Sequence, residues 1–264
     1  MTLIDTHCHI NFERYDQDRD AVIQRAIDAG VTRIINPAID IPTSHAVVHL
    51  TQQYPGMFCA VGIHPNSTAD FTPEVITELE ALAHMPKVVA IGEIGLDYHW
   101  DKSPKSIQQR AFQAQLELAA KLELPVIIHN REASNDVMDI LEAWVKGGLP
   151  NRLKDRPGVM HSFSAPAQTA ERALSIGFYL GFTGPITYKN ADDLRAIART
   201  IPQNRILVET DGPFLTPHPY RGKRNEPAYL VHIVDRLASL HQLPTEQMAH
   251  ITTQNAERLF QLPS

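Results

Sequence analysis

Short apolar runs rich in β-branched residues recur eight times along this chain, each separated from the next by a segment of different periodicity. They read TLIDTH from Thr2, RIINPAI from Arg33, FCAVGIHP from Phe58, VVAIGEIG from Val88, PVIIHN from Pro125, GVMHSF from Gly158, FYLGFTG from Phe178 and ILVETDGP from Ile206. Runs this short and continuously apolar suit buried parallel strands. Several intervening segments show helical spacing. DRDAVIQRAIDAG places Ala21, Val22, Ala26 and Ile27 near one face and stops at Gly30. SIQQRAFQAQLELAAKLEL carries a stripe of Phe112, Leu116, Ala119 and Ala120, and SNDVMDILEAWVKGG ends in two glycines. SAPAQTAERALSIG, NADDLRAIART and TEQMAHITTQNAERLFQ are expected to start at Ser164, Asn190 and Thr245 as N-caps.

Strand then helix, eight times over, is the pattern of a (β/α)8 TIM barrel, here read as a single domain over residues 1–264. An open doubly wound sheet would want a glycine-rich phosphate loop after its first strand. The first run leads instead into THCHINFERY, which has no glycine.

The positions of the polar residues then constrain the chemistry. His7 and His9 end the first run and share a face if the chain stays extended, with Cys8 on the other. His64 ends the third run, Glu93 the fourth, His129 the fifth, His161 the sixth and Asp211 the eighth. In a barrel those ends lie on the face where active sites sit, so residues scattered over the chain converge on one cavity. His7, His9, Glu93, His129, His161 and Asp211 make a two-ion site. Glu93 comes after an apolar strand, where an unpaired carboxylate is costly and a metal would neutralise it; no lysine in runs four or five offers a carboxylated bridge, and Glu93 could bridge two ions instead. Asp211, nearest the mouth, is read as ligand and as acceptor of a proton from the attacking water, with Glu93 beside it in the catalytic set. Glu209, one pleat lower, orients other groups. Four imidazoles suit zinc, manganese or iron better than magnesium.

Composition narrows the class. Only Cys8 and Cys59 are present, so neither a disulfide framework nor a zinc ribbon is expected. The formal net charge of −6 argues against coating a long duplex. No apolar run approaches a membrane span, and Asp5 interrupts the first one with no basic segment before it, so no leader is expected and the cytoplasm is the expected location. His45 and His49 lack the glutamate of a zincin motif and are read as exposed helix residues.

Through IDTHCHI, AVGIHP, VVAIGEIGLDY, LPVIIHNRE, HSFSAP, ILVETDGPFL, RGKRNEP and TTQNAERLF, the chain resembles the TatD family of metal-dependent deoxyribonucleases within the amidohydrolase-like barrel hydrolases. The resemblance covers essentially the whole length. It implies divalent metal dependence, two ions per subunit drawn from magnesium, manganese or zinc, and phosphodiester hydrolysis that is exonucleolytic on single-stranded DNA or strand ends. By motif match the same six residues are the metal residues and Asp211 the base. Ser162 stands where cysteine is common, Ala165 where glycine is common, and Gly212 where alanine or serine is usual; none removes a ligand, and the loops at the mouth are where preference would change.

Around the mouth, Arg221, Lys223 and Arg224 form the dense basic cluster and are read as phosphate contacts. His64 is read as a hydrogen-bond donor to the scissile phosphate. Arg131, Tyr98 and His99 are candidates to line the cleft, and Tyr98 or Trp100 to stack on a base. No obligate protein partner or membrane is expected, and a monomer suffices. Two other functions fit the same residues: hydrolysis of a small amide, lactone or phosphoester, and a non-catalytic, metal-stabilised quality-control binding protein.

Overall fold

The computed structural model describes residues 1–100 and 102–263. Eight parallel strands succeed one another around a single sheet in chain order. They are β1 (Leu3–Asp5), β2 (Val31–Pro37), β3 (Met57–Val61), β4 (Val88–Asp97), β5 (Val126–Arg131), β6 (Gly158–Met160), β7 (Tyr179–Phe182) and β8 (Ile206–Val208). Outside them run α1 (Arg19–Asp28), α2 (Ile41–Gln53), α3 (Glu74–Ala83), α4 (Lys105–Leu122), α5 (Ser134–Lys146), α6 (Ala167–Ser175), α7 (Asp192–Thr200), α8 (Leu230–Leu240) and α9 (Thr245–Phe260). This is a (β/α)8 barrel, as the alternation predicts.

The ring closes between β8 and β1 in an unusual way. Their contact continues past the regular strands: Thr6 N–H donates to the Val208 carbonyl at 3.2 Å, Asp211 N–H to that of His7 at 2.8 Å, and His9 N–H to that of Gly212 at 2.8 Å. Cys8 and Gly212 form an isolated parallel bridge. The Asp5 side chain reinforces this seam by accepting from Thr210 N–H at 3.0 Å and His7 N–H at 3.3 Å. His7, His9 and Asp211 therefore sit on the seam itself.

One apolar layer fills the space between sheet and helices. A second fills the barrel, with inward residues such as Ile35, Phe58, Ile127, Val159, Tyr179 and Leu207 packed on Ala256, Leu259, Phe260 and Leu262 from the end of the chain. The end of α9 and the residues after it thus plug the bottom, and the top is left for polar groups. Strand alternation places them. His129 lies two residues beyond Ile127, His161 two beyond Val159, and Glu209 two beyond Leu207. On β7 the equivalent position is Gly181, where a Cβ would lie 2.2 Å from Glu209 Oε1; a side chain there would evict the carboxylate. On β4 the register shifts between Ile91 and Ile94, which breaks the alternation and turns Glu93 to the interior.

Three expected helix starts differ. α6 and α9 enter through Pro166 and Pro244 at the cap position, with no side-chain cap. Proline's fixed φ sets the entry there in place of a hydroxyl, so Ser164 caps nothing, and Thr245 donates instead to Asp235 on α8 at 2.9 Å. α7 starts after Ala191 rather than at Asn190, with Asp192 and Asp193 in its first turn facing the positive end of the helix dipole.

Candidate metal centre

At the top of the barrel the predicted residues meet. His7 Nε2 lies 3.2 Å from His9 Nε2 and 3.4 Å from Glu93 Oε2. Asp211 Oδ1 is 3.8 Å from His7 Nε2 and 3.6 Å from His9 Nε2, and Glu93 Oε2 is 3.6 Å from His9 Nε2. The other oxygen of Glu93 faces His129 Nδ1 at 2.8 Å, His161 Nε2 at 3.2 Å and His64 Nε2 at 3.6 Å. Glu93 thus stands between two groups of donors, one oxygen to each.

These spacings fit a metal. An ion with bonds of about 2.1 Å holds tetrahedral donors about 3.4 Å apart. The two imidazole nitrogens are 3.2 Å apart and each carboxylate oxygen lies 3.4–3.8 Å from both, close to that separation. The buried His7 Nδ1 has no hydrogen-bond partner, so the ring is not held by protein hydrogen bonding on that side.

The tautomers distinguish the histidines. His9 Nδ1 faces the Pro37 carbonyl at 3.3 Å, which makes it the protonated nitrogen and leaves a lone pair on Nε2. His161 stands between two carboxylates, its Nδ1 3.4 Å from Glu209 Oε2 and its Nε2 3.2 Å from Glu93 Oε1. His129 Nε2 is 2.9 Å from Asp97 Oδ2, which leaves Nδ1 for Glu93's side of the cluster. His64 is the reverse: its Nδ1 accepts from Asn66 N–H at 3.1 Å, so the neutral ring carries its proton on Nε2. Although His64, Glu93 and His129 are close enough to form a ligand trio, this tautomer makes His64 a donor.

Electrostatics agree with that division. Burial pushes His9 down to about 4 and His64 down to about 3, and holds His7 well below the usual imidazole range. Burial alone would raise Glu93, but the imidazoles of His161 and His64 outweigh it and keep Glu93 ionised. Burial would likewise depress His161, but Glu93 and Glu209 raise it well above the usual value. Burial lifts Asp211 to about 7. A cation at the cluster would remove the reason for those protons.

Asp211 and Ser162 both lie in the left-handed region, with φ of 53° and 44°. Such conformations cost of order 1 kcal/mol each and concentrate at functional sites. Here one belongs to a member of the cluster and the other to the residue after His161. Ser162 N–H donates to Glu209 Oε2 at 2.9 Å, and its hydroxyl pairs with Thr183 Oγ1 at 2.9 Å.

The cluster forms the floor of a cavity of about 960 Å³ walled by His64, Arg131, Phe12, Trp100 and Phe214, among others. The post-β8 basic cluster does not reach it. Arg224 is committed to Asp18 at 2.7 and 2.8 Å, Arg221 lies over Tyr188 at 4.0 Å, and Lys223 lies over Tyr220 at 5.5 Å. Tyr98 and His99 are not among the lining residues; Tyr98 bonds to Asp136, and His99 sits behind the wall, bonded to Glu132 and edge to face with Trp100.

Two contributors escape a reading of the sequence, Asp97 behind His129 and Asp5 behind His7. Asp97 ends the long β4 run four residues after Glu93, a spacing that could signal it; Asp5 looks like an interruption of an apolar strand.

Comparison with known proteins identifies the family and supports the fold. The TatD related DNase family matches residues 4–261. A Bacillus subtilis metal-dependent hydrolase, YabD, is 44% identical over 98% of this chain and 99% of its own. A Salmonella typhimurium protein named 3'-5' ssDNA/RNA exonuclease TatD is 34% identical over 98% of this chain and 99% of its own. The crystal structure of YjjV, a TatD homolog from Escherichia coli K12, is 33% identical and superposes with a TM-score of 0.91 over 99% of this chain and 98% of that one. With the barrel, the convergent imidazoles and carboxylates, and these relatives in hand, the chain belongs to the TatD-related DNase family of metal-dependent hydrolases.

Proposed function

We propose that this protein hydrolyses phosphodiester bonds at the ends of single-stranded DNA with two divalent ions. His7, His9, Asp211 and one oxygen of Glu93 would hold the first ion; the other oxygen of Glu93, with His129 and His161, would hold the second. The observation that carries the proposal is the position of Glu93 between the two donor groups. The donor set suits zinc or manganese, and magnesium is accommodated through the carboxylates. When bound, such ions acidify water and neutralise phosphoryl charge.

The protein's own groups supply the rest. Asp211, on the cavity wall with a side chain 15% exposed, accepts the proton of the attacking water. His64, neutral and protonated on Nε2, donates to a phosphate oxygen. Asp97 fixes the ring of His129 by hydrogen bonding, and Glu209 sets its negative charge 3.4 Å from His161 Nδ1. Arg131 contributes the cation of the wall. Every donor comes from one chain, so a monomer suffices. No described helix is long and apolar enough to cross a membrane.

The Salmonella relative's name supports a nucleic-acid substrate. A 5'- or 3'-labelled oligonucleotide digested with magnesium, manganese or zinc, with and without chelator, tests the proposal. Stepwise shortening that chelator abolishes is expected. Turnover of small amides, lactones or phosphoesters with an intact oligonucleotide would replace this reading with the small-substrate one. Metal-dependent stabilisation with no turnover of any substrate would favour a binding protein.

A further inference from the structure

Five large apolar side chains are substantially exposed among the described residues: Met1, Ile27, Met85, Trp100 and Phe214. The first three lie at the bottom of the barrel, before β1, at the end of α1 and before β4. Single apolar residues of that kind are ordinary. Trp100 and Phe214, at 49% and 44% exposed, are different because both wall the catalytic cavity.

Each is also anchored to a different end of the donor cluster. The His9 ring stacks on Phe12 at 4.6 Å, and Phe12 meets Phe214 edge to face at 6.1 Å. That pair adjoins the His7, His9 and Asp211 end. Trp100 N–H donates to Asp97 Oδ1 at 3.0 Å, while Asp97 Oδ2 receives His129. Trp100 therefore adjoins the His129 end. Each ring carries a guanidinium in cation–π range, Arg14 at 5.9 Å from Phe214 and Arg131 at 5.6 Å from Trp100. His99 and Phe12 also meet Trp100 and Phe214 edge to face, at 4.8 and 6.1 Å, and both rings keep the exposure given above.

We propose that Phe214, backed by Phe12, and Trp100, with Arg131, are stacking platforms for the unpaired bases of the two nucleosides that flank the scissile phosphate. The inference rests on the phosphodiesterase function proposed for this site and adds what reads the substrate. A phosphodiester spanning the two donor groups directs its two nucleosides toward opposite walls, and each wall presents one exposed aromatic ring. Stacking reads the face common to all bases, so the site selects unstacked nucleotides with little sequence preference. A paired base, stacked on its neighbours within a duplex, offers no free face to either platform.

The test compares a labelled single strand with the same strand carrying abasic residues on one or both sides of the terminal linkage. Wild type is expected to cleave the normal strand about 5- to 150-fold more efficiently per stacked base. Trp100→Ala should become insensitive to the abasic residue on one side and Phe214→Ala to that on the other. Equal cleavage of normal and abasic strands by wild type, or full discrimination by both variants, overturns the proposal. A binding readout stands apart from turnover: in a Trp144→Phe background, Trp100 is the remaining tryptophan. Its fluorescence should be quenched by oligothymidylate and not by an abasic strand of equal length. If no phosphodiester, bis(p-nitrophenyl) phosphate included, is cleaved with any of the three ions, the phosphodiesterase function fails by itself. Quenching then decides the platforms: base-dependent quenching upholds that of Trp100, and tighter oligothymidylate binding than Phe214→Ala shows, read by the same fluorescence, upholds that of Phe214; base-independent or absent quenching, or unchanged binding in Phe214→Ala, rejects them.

Discussion

Replacing Asp5 by alanine should weaken both the barrel and the metal centre, although Asp5 touches neither substrate nor ion. Its carboxylate is fully buried and accepts the backbone N–H groups of His7 and Thr210 and the Thr210 hydroxyl. Alanine leaves two buried N–H groups without acceptors, at roughly 1–3 kcal/mol each. With the space it opens, the total is about 3–6 kcal/mol, or a fall in Tm of roughly 6–20 °C for a chain of this size. Because the freed amides belong to His7 and to the residue before Asp211, divalent-ion affinity should drop about 10- to 100-fold. Asp5→Asn keeps an acceptor and the shape, so it should cost much less on both measures. The two variants also separate by pH. Burial lifts Asp5 from 3.8 to about 7. Between about pH 4 and pH 7 the folded protein therefore keeps a proton that the unfolded chain has released, and this contribution to stability is lost as pH rises through that window. It amounts to at most about 4 kcal/mol. Asparagine has no such titration, so the Tm advantage of wild type over Asp5→Asn should narrow from about pH 5 to pH 7.5 in chelated protein. Thermal unfolding and isothermal titration with zinc or manganese read both effects. An Asp5→Ala protein that melts within about 2 °C of wild type and binds the ion unchanged would refute the reasoning.

Asp211→Asn should fold and lose nearly all hydrolysis in the oligonucleotide digest; wild-type turnover would remove Asp211 from the role of base. Glu209→Gln should loosen His161 and Ser162 and weaken ion binding by about 10- to 100-fold, and Gly181→Ala should do the same by displacing that carboxylate, both read by titration calorimetry. Saturating ion at about 100 times its Kd should stabilise chelated protein by about 2.7 kcal/mol, visible as a Tm rise in a scanning calorimeter. Cys8 and Cys59 are buried with thiols pushed upward, Cys59 to about 12, so a disulfide-exchange reagent should label neither before unfolding.

Much of the site is legible in the sequence because strand periodicity and strand ends are local signals. His129, His161 and Glu209 fall where simple alternation from Ile127, Val159 and Leu207 puts them. Glu93 is harder, since its inward aim depends on the register shift in β4, which no periodicity encodes. Proximity in sequence misleads for Arg221, Lys223 and Arg224. The loop after β8 runs back over Tyr15 and Asp18, and Asp18, some two hundred residues away, claims Arg224. Helix starts are misplaced where proline enters the helix, and α2, α3 and α8 are not delimited because their apolar stripes are short and the first two are flanked by loop-like residues. Asp5 and Asp97 escape because each acts through a neighbour.

The seam between β8 and β1 has a consequence for biosynthesis. Thr6 and Val208, bonded across it, are 202 residues apart. Synthesis delivers His7 and His9 some two hundred residues before Asp211. Until then β1 has an open edge, and its two imidazoles are a fragment that any soft divalent ion in the cell could occupy. The full, tightly spaced donor set arises only when β8 docks against β1, so the ability to hold an ion is tied to closure of the seam, and a product truncated before β8 would be both unsealed and short of a donor.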